Sequence, residues 1–418
     1  MMRIEATLAE SLFDEPLAIR ILELPPSCVV TIRAAATDEL NHRWESRAEF
    51  RADDYGVVDV TAQAPVAGTY REVDAMGLFW SMELDPAVTP RSVFDKASAA
   101  PINVELLAEV EGGPSAKIVL SRLLMAAGIR RTSVRENGLV GTLFHDYGGP
   151  RPAVIVIGGS GGGLDESIAA LLASHGYTTL ALAYFGCEGL PPLLRNIPLE
   201  YFETAIQWIK RHPSARAGKV AVMGRSRGGE LALLLGSTFP AITAVVAVAP
   251  SSVMWQSVER ELADEAGPSW TYHGQPLPFV ARAREANPKP PIELMPAYLK
   301  AMRNERAMER AVIAVEKING PILMVSGKDD LLWPAATFAE RVMDRLKRHN
   351  FPHSYKHLTY DDSGHFGSLP PFRPTTLSEM FHPVDRASFA LGGTARGDAS
   401  ASVSSWREML AFFEDHHT

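Results

Sequence analysis

Short segments in which apolar and polar residues alternate occupy the first third of the chain. Between Leu17 and about Leu120 they read LAIRILEL, CVVTIRAAA, AEFRADDYGVVDV and AKIVLSR. Turn-forming pairs, such as Pro25-Pro26 and Gly112-Gly113, separate them. Alternation that is interrupted by turns about every 8 to 12 residues is typical of antiparallel strands with one buried face. We therefore predict a small all-β domain over residues 1–125.

Beyond about Met125 the apolar residues form continuous runs that alternate with segments of helix length. The runs are AVIVIGG (153–159), TTLALAY (178–184), VAVMG (220–224), AVVAVAP (244–250) and PILMVSG (321–327). Continuous apolar runs suit strands that are covered on both faces, and amphipathic segments such as ATFAERVMDRLKRHN supply the covering helices. This alternation predicts an α/β fold with a mostly parallel, doubly wound sheet in residues 126–418.

The regular alternation stops between Ser251 and about Arg310. Pro-rich and Trp-containing stretches fill this interval, including GPSWTYHGQPLPF and NPKPPIEL. A segment of this length between two sheet strands is either a lid that faces substrate or a structural excursion. Both remain open, and we describe the segment as a lid-like insertion at about 251–310.

Composition narrows the class of protein. Hydrophobic residues make up 46% and charged residues 22% of the chain, as in ordinary folded proteins. The net charge of -8 argues against a nucleic-acid partner, which would require a basic face. Cys28 and Cys187 are far apart and form no metal-binding or disulfide pattern. We expect no metal and no cofactor.

The N-terminal stretch MMRIEATLAESLFDEP carries acidic residues where a signal peptide would need an apolar core. The chain also lacks a run of about 18 apolar residues, the length that a membrane-spanning helix needs. We therefore expect an unexported, cytoplasmic protein with no membrane partner.

A Gly-x-Ser-x-Gly pentapeptide, Gly224 to Gly228, lies between the strand run VAVM and the helix pattern GELALLLGS. In so tight a strand-turn-helix the central residue has strained backbone geometry, and flanking glycines avoid collisions with the strand and the helix. The pentapeptide also arises by chance in roughly one chain of this length in ten. The flanking strand and helix favour the interpretation of Ser226 as a nucleophile at the carboxyl end of the sheet.

A serine hydroxyl becomes a nucleophile when a histidine removes its proton and a carboxylate orients that imidazole. In this kind of fold the acid and then the histidine follow the serine, each at the end of a later strand. Asp329 and Asp330 follow the run PILMVSG, and we favour Asp330, with Asp329 as a solvated turn residue or helix cap. His365, on the loop that ends SYKHLTYDDSGHFG, is the predicted base, and His357 on the strand itself is the alternative.

Acyl transfer also needs hydrogen-bond donors for the tetrahedral oxyanion. The stretch VIGGSGGGLDE follows the first buried strand, and we predict the N–H groups of Gly159, Ser160 and Arg227 as those donors. A glycine-rich loop after a strand can instead hold a phosphate, as in dinucleotide-binding folds. This stretch has no Lys-Ser/Thr ending, and the apolar run TTLALAY stands where an acidic ribose partner is expected, which disfavours that alternative.

With these residues in place, nearly the whole chain resembles the acyl-CoA thioesterase / bile acid-CoA:amino acid N-acyltransferase family. The stretches SLFDEP, RADDYGVVD and AMGLFWSM resemble its N-terminal signatures, and IGGSGGGLDE, LALAYFG, LEYFETAIQWIKRHP, GRSRGGELALLLGS, INGPILMVSGKDDLLWP and SGHFG its C-terminal ones. The resemblance implies an immunoglobulin-like β-sandwich followed by an α/β-hydrolase domain. It also implies a Ser/Cys, Asp, His triad, which falls on Ser226, Asp330 and His365 and acts on acyl-CoA thioesters.

The nucleophile separates two activities within that family. Its amino-acid-conjugating members carry cysteine where this chain carries Ser226. A serine acyl-enzyme is an oxygen ester that water attacks, so we predict hydrolysis to free acid and CoA. Acyl transfer to an amine or alcohol, carboxylesterase activity and a catalytically idle binding module are the alternatives.

Coenzyme A carries several phosphate charges, whereas the chain is acidic overall. A local basic rim would resolve this mismatch, and Arg225 and Lys328 are the predicted substrate-binding residues. We expect a monomer or a weak homo-oligomer that acts on a small-molecule thioester.

Overall fold

The computed structural model describes residues 1–258, 267–282, 288–365, 367 and 370–417. The first 123 residues form strands and one short helix. In chain order these elements are β1 (Arg3–Ala6), β2 (Glu10–Leu12), β3 (Ile19–Leu22), β4 (Val29–Thr37), β5 (Arg43–Arg51), β6 (Val58–Asp59), β7 (Ala67–Gly68), α1 (Gly77–Trp80), β8 (Glu83–Leu84), β9 (Ile102–Val110) and β10 (Ser115–Leu123).

These strands form two sheets. One has three strands in the order β1-β3-β6, and the other follows the order β2-β10-β9-β4-β5-β7, with β8 also paired to β5. The alternation seen in the sequence marks the two faces of the strands: in β4 the side chains of Val30, Ile32 and Ala34 are fully buried, while those of Thr31 and Arg33 are half-buried. All four alternating segments of the sequence contain strands, whereas β1, β2, β7, β8 and β9 lie outside them.

The remainder of the described chain contains thirteen strands and seven α-helices. They are β11 (Arg130–Val134), β12 (Val140–His145), β13 (Arg151–Ile157), α2 (Glu166–Ser174), β14 (Thr178–Ala183), β15 (Ile197–Pro198), α3 (Leu199–Arg211), β16 (Ala215–Arg225), α4 (Arg227–Thr238), β17 (Ile242–Val248), β18 (Trp270–Tyr272), β19 (Gln275–Pro276), α5 (Met295–Ala301), α6 (Glu305–Arg310), β20 (Ile322–Gly327), α7 (Ala335–Arg348), β21 (Tyr355–Tyr360), β22 (Glu379–His382), β23 (Ala387–Ala390) and α8 (Ala395–His416). A single 3₁₀ turn, Val315–Lys317, precedes β20.

Eight of these strands form one sheet in the order β11-β12-β14-β13-β16-β17-β20-β21. The pairs β11/β12 and β12/β14 are antiparallel, and every later pair is parallel. This order and these directions define the α/β-hydrolase fold, as predicted. The five continuous apolar runs fall mainly in β13, β14, β16, β17 and β20, and the residues of these runs are almost all buried.

Helices cover both faces of the sheet, and α7 shows the apolar stripe by which an amphipathic helix packs on it. In α7 the buried residues include Phe338, Ala339, Val342 and Leu346, which recur every three or four positions. One apolar core lies beneath α3, α4 and α7. The core on the other face, beneath α2 and α8, continues into the two N-terminal sheets, so the two parts of the chain share buried apolar residues. None of the helices in the described residues is long and apolar enough to cross a membrane.

The interval 251–310 packs against the end of the sheet in its described parts. Its strands β18 and β19 form a small sheet with β15, and α5 and α6 follow. Trp255 and Met308 from this interval form a third apolar core with Trp333 and Phe338. Residues 259–266 and 283–287 of the predicted insertion lie outside the described residues.

Candidate active site

Ser226 occupies the turn between β16 and α4. Its backbone has φ 57° and ψ −120°, a conformation that non-glycine residues rarely adopt. The turn is tight enough to require glycine on both sides: a Cβ on Gly224 would lie 2.1 Å from the carbonyl oxygen of Gly228, and one on Gly228 would lie 2.4 Å from that of Gly158. The pentapeptide therefore forms the strained strand-turn-helix that its pattern predicts.

Three side chains from distant parts of the chain meet at this turn. The Oγ of Ser226 lies 2.9 Å from Nε2 of His365, and Nδ1 of His365 lies 2.7 Å from Oδ2 of Asp330. All three residues are buried. Asp329 is exposed, and His357 instead contacts Ser326. Of the alternatives that the sequence left open, Asp330 and His365 are the residues brought to Ser226.

Backbone contacts position the carboxylate and the imidazole. Oδ1 of Asp330 accepts hydrogen bonds from the N–H groups of Leu332 and Trp333, at 2.8 and 3.0 Å, so its other oxygen points at the histidine. The N–H of His365 donates to the carbonyl of Leu391 at 3.0 Å. Phe366, within the predicted motif SGHFG, lies outside the described residues. The geometry is that of a nucleophile, a base and an orienting acid.

Asp398, near the start of α8, stabilises the loop that carries His365. Its Oδ1 accepts hydrogen bonds from the N–H of Gly364 at 2.8 Å and from the hydroxyl of Ser363 at 3.0 Å. Burial raises the pKa of Asp398 to about 6, against the lowering effect of those two hydrogen bonds. The sequence analysis did not identify this residue, because an aspartate in the first turn of a helix usually stabilises only that helix.

The glycine-rich stretch lies directly beside Ser226. A Cβ on Gly159 would be 3.4 Å from Cβ of Ser226, and the hydroxyl of Tyr184 donates to the carbonyl of Gly158 at 2.9 Å, which holds the stretch in place. Among the described residues, no acceptor is found for the N–H groups of Gly159, Ser160 and Arg227. These are the three predicted oxyanion donors, and unpaired donors beside a nucleophile suit that role.

A cavity of about 330 Å³ opens over Ser226. Apolar and aromatic side chains form much of its wall, including Trp255, Tyr298, Trp333 and Phe389. Trp255 and Tyr298 come from the interval 251–310, so the described part of that interval lines the cavity. Pockets with apolar walls and a few polar groups are typical of sites for small organic ligands.

The side chain of Arg227 turns away from the oxyanion position into a buried network. Its Nη1 lies 2.7 Å from Oε2 of Glu230, and its Nη2 donates to Ser269 and to the carbonyl of Trp255. Glu230 also accepts a hydrogen bond from Nε1 of Trp270 at 2.8 Å. Through these contacts the first turn of α4 anchors the segment that forms one wall of the cavity. The sequence offered no signal for Glu230, which sits in an ordinary helical pattern.

The two predicted substrate-binding cations already have carboxylate partners. Arg225 lies 3.6 Å from Asp165, and its side chain is mostly buried. Lys328 lies 2.6 Å from Asp361 on the surface. Neither lines the cavity over Ser226 among the described residues.

Two family models together match most of the chain. "Acyl-CoA thioester hydrolase/BAAT N-terminal region" matches residues 14–136, and "BAAT / Acyl-CoA thioester hydrolase C terminal" matches residues 197–418. The chain belongs to this acyl-CoA thioester hydrolase / BAAT family.

Members of this family are similar to the chain over nearly its full length. Peroxisomal succinyl-coenzyme A thioesterase of Mus musculus is 31% identical, with 97% of this chain and 94% of that protein covered. Acyl-coenzyme A thioesterase 1 of Rattus norvegicus is also 31% identical, at 98% and 96% coverage. Acyl-coenzyme A amino acid N-acyltransferase 1 of Mus musculus is 30% identical, at 100% and 98% coverage. The family resemblance inferred from the motifs is confirmed.

Proposed function

We propose that this protein is a serine hydrolase that cleaves acyl-CoA thioesters to a free acid and coenzyme A. The contact of Ser226 with His365, and of His365 with Asp330, at the base of a cavity carries the proposal. Family membership supports the substrate class, since the similar proteins are named as acyl-CoA thioesterases.

In the first half of the reaction, Nε2 of His365 takes the proton of the Ser226 hydroxyl as Oγ attacks the thioester carbonyl. The negative charge on the former carbonyl oxygen is stabilised by the N–H groups of Gly159, Ser160 and Arg227. Collapse of this intermediate breaks the carbon–sulfur bond, and His365 gives its proton to the departing sulfur. Asp330 stabilises the imidazolium throughout.

In the second half, water replaces coenzyme A. His365 takes a proton from the water molecule as the water oxygen attacks the carbonyl of the Ser226 ester. The N–H groups that stabilised the first oxyanion also stabilise the second. Collapse breaks the bond to Oγ, the proton returns to Ser226, and the free acid leaves. Because this ester is an oxygen ester, water can complete the reaction without an amine acceptor.

We also propose the division of the chain that the sequence predicts. An immunoglobulin-like β-sandwich domain would occupy residues 1–125 and the α/β-hydrolase domain residues 126–418, with the interval 251–310 acting as a lid. Two observations support this division: two sheets lie before residue 124, and Trp255 and Tyr298 line the cavity.

The cytoplasmic location stays a prediction, as relatives are named as peroxisomal and mitochondrial enzymes.

Replacement of Ser226 tests the proposal. We expect Ser226→Ala to lower kcat by about 10⁴-fold or more, because the nucleophile is lost, while the protein keeps its fold. The measurement is release of free thiol from a panel of acyl-CoA substrates. Ser237→Ala, which changes a partly buried serine at the far end of the same helix, is the matched control and should retain the parent rate. A Ser226→Ala protein that turns over acyl-CoA as fast as the parent would refute the assignment.

Acyl transfer is the second candidate, since an N-acyltransferase is among the similar proteins. Mass spectrometry of the products formed with an amine acceptor such as glycine separates the two activities, because only a transferase makes an amide. We expect free acid alone from the parent protein.

A further inference from the structure

A second serine–histidine pair lines the same cavity as Ser226. Oγ of Ser160, in the glycine-rich stretch, lies 2.9 Å from Nε2 of His382, which comes from the end of β22. His382 is 3% exposed, and Ser160 is half-buried. No residue of the β22–β23 hairpin was singled out from the sequence, and the triad does not use this contact.

The surroundings of His382 determine where its ring proton lies. The backbone N–H of Asp385 donates to Nδ1 of His382 at 3.1 Å, and that bond requires Nδ1 to be unprotonated. The neutral ring then carries its proton on Nε2. Oδ2 of Asp385 also lies 3.0 Å from Nδ1, on the same side of the ring. With its proton on Nε2, His382 donates a hydrogen bond to the hydroxyl of Ser160.

A hydroxyl that accepts one hydrogen bond in this way keeps its own proton for another acceptor. Ser160 lines the cavity and directly follows Gly159, where an added Cβ would lie 3.4 Å from Cβ of Ser226. We propose that the Ser160 hydroxyl is a further donor to the oxyanion, beside the backbone N–H groups, and that His382 is the positioning residue that orients it. The inference rests on the proposed function, since it concerns the same reaction at the same site.

The contribution of such a donor is large because the oxyanion forms where protein groups replace water. Removal of one side-chain donor from an oxyanion site lowers kcat by about 10²- to 10³-fold. The effect falls on kcat and leaves KM unchanged, since the donor is fully engaged only after the carbonyl becomes tetrahedral.

Substitutions at Ser160 give the first test. We expect Ser160→Ala to lower kcat on acyl-CoA by about 100-fold with KM changed by less than about twofold. Ser160→Thr keeps the hydroxyl and should restore kcat to within about tenfold of the parent. An unchanged kcat in Ser160→Ala, or an increase in KM alone, would overturn the proposal.

Substitutions at His382 test its positioning role. Gln places an N–H donor near the position of Nε2, so the kcat of His382→Gln should stay within about fivefold of the parent value. The kcat of His382→Ala should fall by about tenfold or more, because the Ser160 hydroxyl is no longer oriented. Thermal melting of both variants reports whether the hairpin still folds. Equal losses in the two variants at unchanged melting temperature would contradict the orienting role.

The pair Ser326–His357 supplies the matched control. These residues make a similar contact, 2.7 Å between Oγ and Nε2, on the sheet and outside the cavity. His357→Gln should therefore leave both kcat and KM at the parent values. A loss like that of His382→Ala would show that any buried serine–histidine pair affects the rate, and the proposal would fail.

A fluorophosphonate distinguishes failure of this inference from failure of the proposed function. The reagent phosphonylates an active serine whatever its natural substrate, and the oxyanion donors accelerate that reaction too. We expect peptide mass spectrometry to find the label on Ser226, and Ser160→Ala to slow labelling by about 100-fold. A label on Ser160 itself would mean that His382 acts as a base there, which would overturn the donor role. If the parent protein did not hydrolyse acyl-CoA but Ser160→Ala were still labelled more slowly than the parent, the proposed function would be refuted and the donor role of Ser160 would stand.

Discussion

Glu230 is an ionisable residue near Ser226 whose protonation is changed by burial. It is completely buried, and burial raises the pKa of its carboxyl to about 7, more than the adjacent Arg227 guanidinium lowers it. The folded protein therefore holds a proton between about pH 4.5 and 7 that the unfolded chain releases. Stability that is present at low pH is lost as the pH rises through this window.

The variant Glu230→Gln measures how much stability the ionisation of Glu230 removes. Gln does not titrate, so the free energy of unfolding of the variant minus that of the parent should rise with pH between about 4.5 and 7, by as much as about 3 kcal/mol. Urea unfolding at pH 5, 6, 7 and 8 gives the difference. Asp398 also titrates here, but it is common to both proteins and cancels. Glu111→Gln, on an exposed turn, controls for the loss of a charge; a pH-independent difference for Glu230→Gln would contradict the expectation.

At the scale of elements, the contact between β13, β16 and α4 sets the distance from Ser226 to the proposed oxyanion donors. The elements approach closely because Gly224 and Gly228 have no side chains there. The carbonyl of Gly158, which directly follows β13, faces Gly228 and belongs to the stretch that carries Gly159. Any widening of this contact would move the donors away from Ser226.

Gly228→Ala should therefore affect both stability and rate. The new Cβ would lie 2.4 Å from the Gly158 carbonyl oxygen, so the strand end must shift, at a cost of about 1–3 kcal/mol in the free energy of unfolding. We expect kcat to fall by about 100-fold as well, because a displacement of about 1 Å has that effect on a reaction held by geometry. Urea unfolding and steady-state kinetics measure the two effects. In Gly113→Ala, on an exposed turn, the nearest atom is a valine methyl group at 3.2 Å, and parent values are expected.

At the scale of the whole molecule, the N-terminal sheets are joined to the hydrolase helices by buried polar contacts as well as by apolar packing. Oδ2 of Asp14, just after β2, accepts a hydrogen bond from Nε1 of Trp406 in α8 at 2.7 Å and lies 2.6 Å from Nε2 of His175 at the end of α2. The side chain of Asp14 and the residue Trp406 are buried, so water has little access to this contact.

Asp14→Ala should weaken this junction. It leaves the Trp406 N–H without an acceptor, which costs about 1–3 kcal/mol in the free energy of unfolding. Asp14→Asn keeps an acceptor oxygen and should lose less. Urea unfolding followed by circular dichroism gives the values. The exposed Asp54→Ala is the control and should lie within about 0.5 kcal/mol of the parent. Equal stability of Asp14→Ala and Asp54→Ala would show that the junction does not depend on this contact.

The amino-acid sequence alone indicated the five buried strands of the large sheet and the position of the candidate nucleophile, Ser226. Both depend on local properties: the spacing of apolar residues distinguishes strands from helices, and glycines mark a turn that no other residue permits. It also led to Asp330 and His365, because strand ends on one edge of a parallel sheet are neighbours. The family followed from the same motifs.

The tertiary structure decided which side chains meet. Ser160 and His382 are 222 residues apart, and no local pattern relates a glycine-rich loop to a distant hairpin. In the same way, only the folded chain pairs Arg225 with Asp165 and Lys328 with Asp361 instead of leaving them free for substrate, and only it buries Glu230 beneath Trp270. Local spacing specifies the backbone, whereas the partner of a polar side chain depends on which loops converge in space.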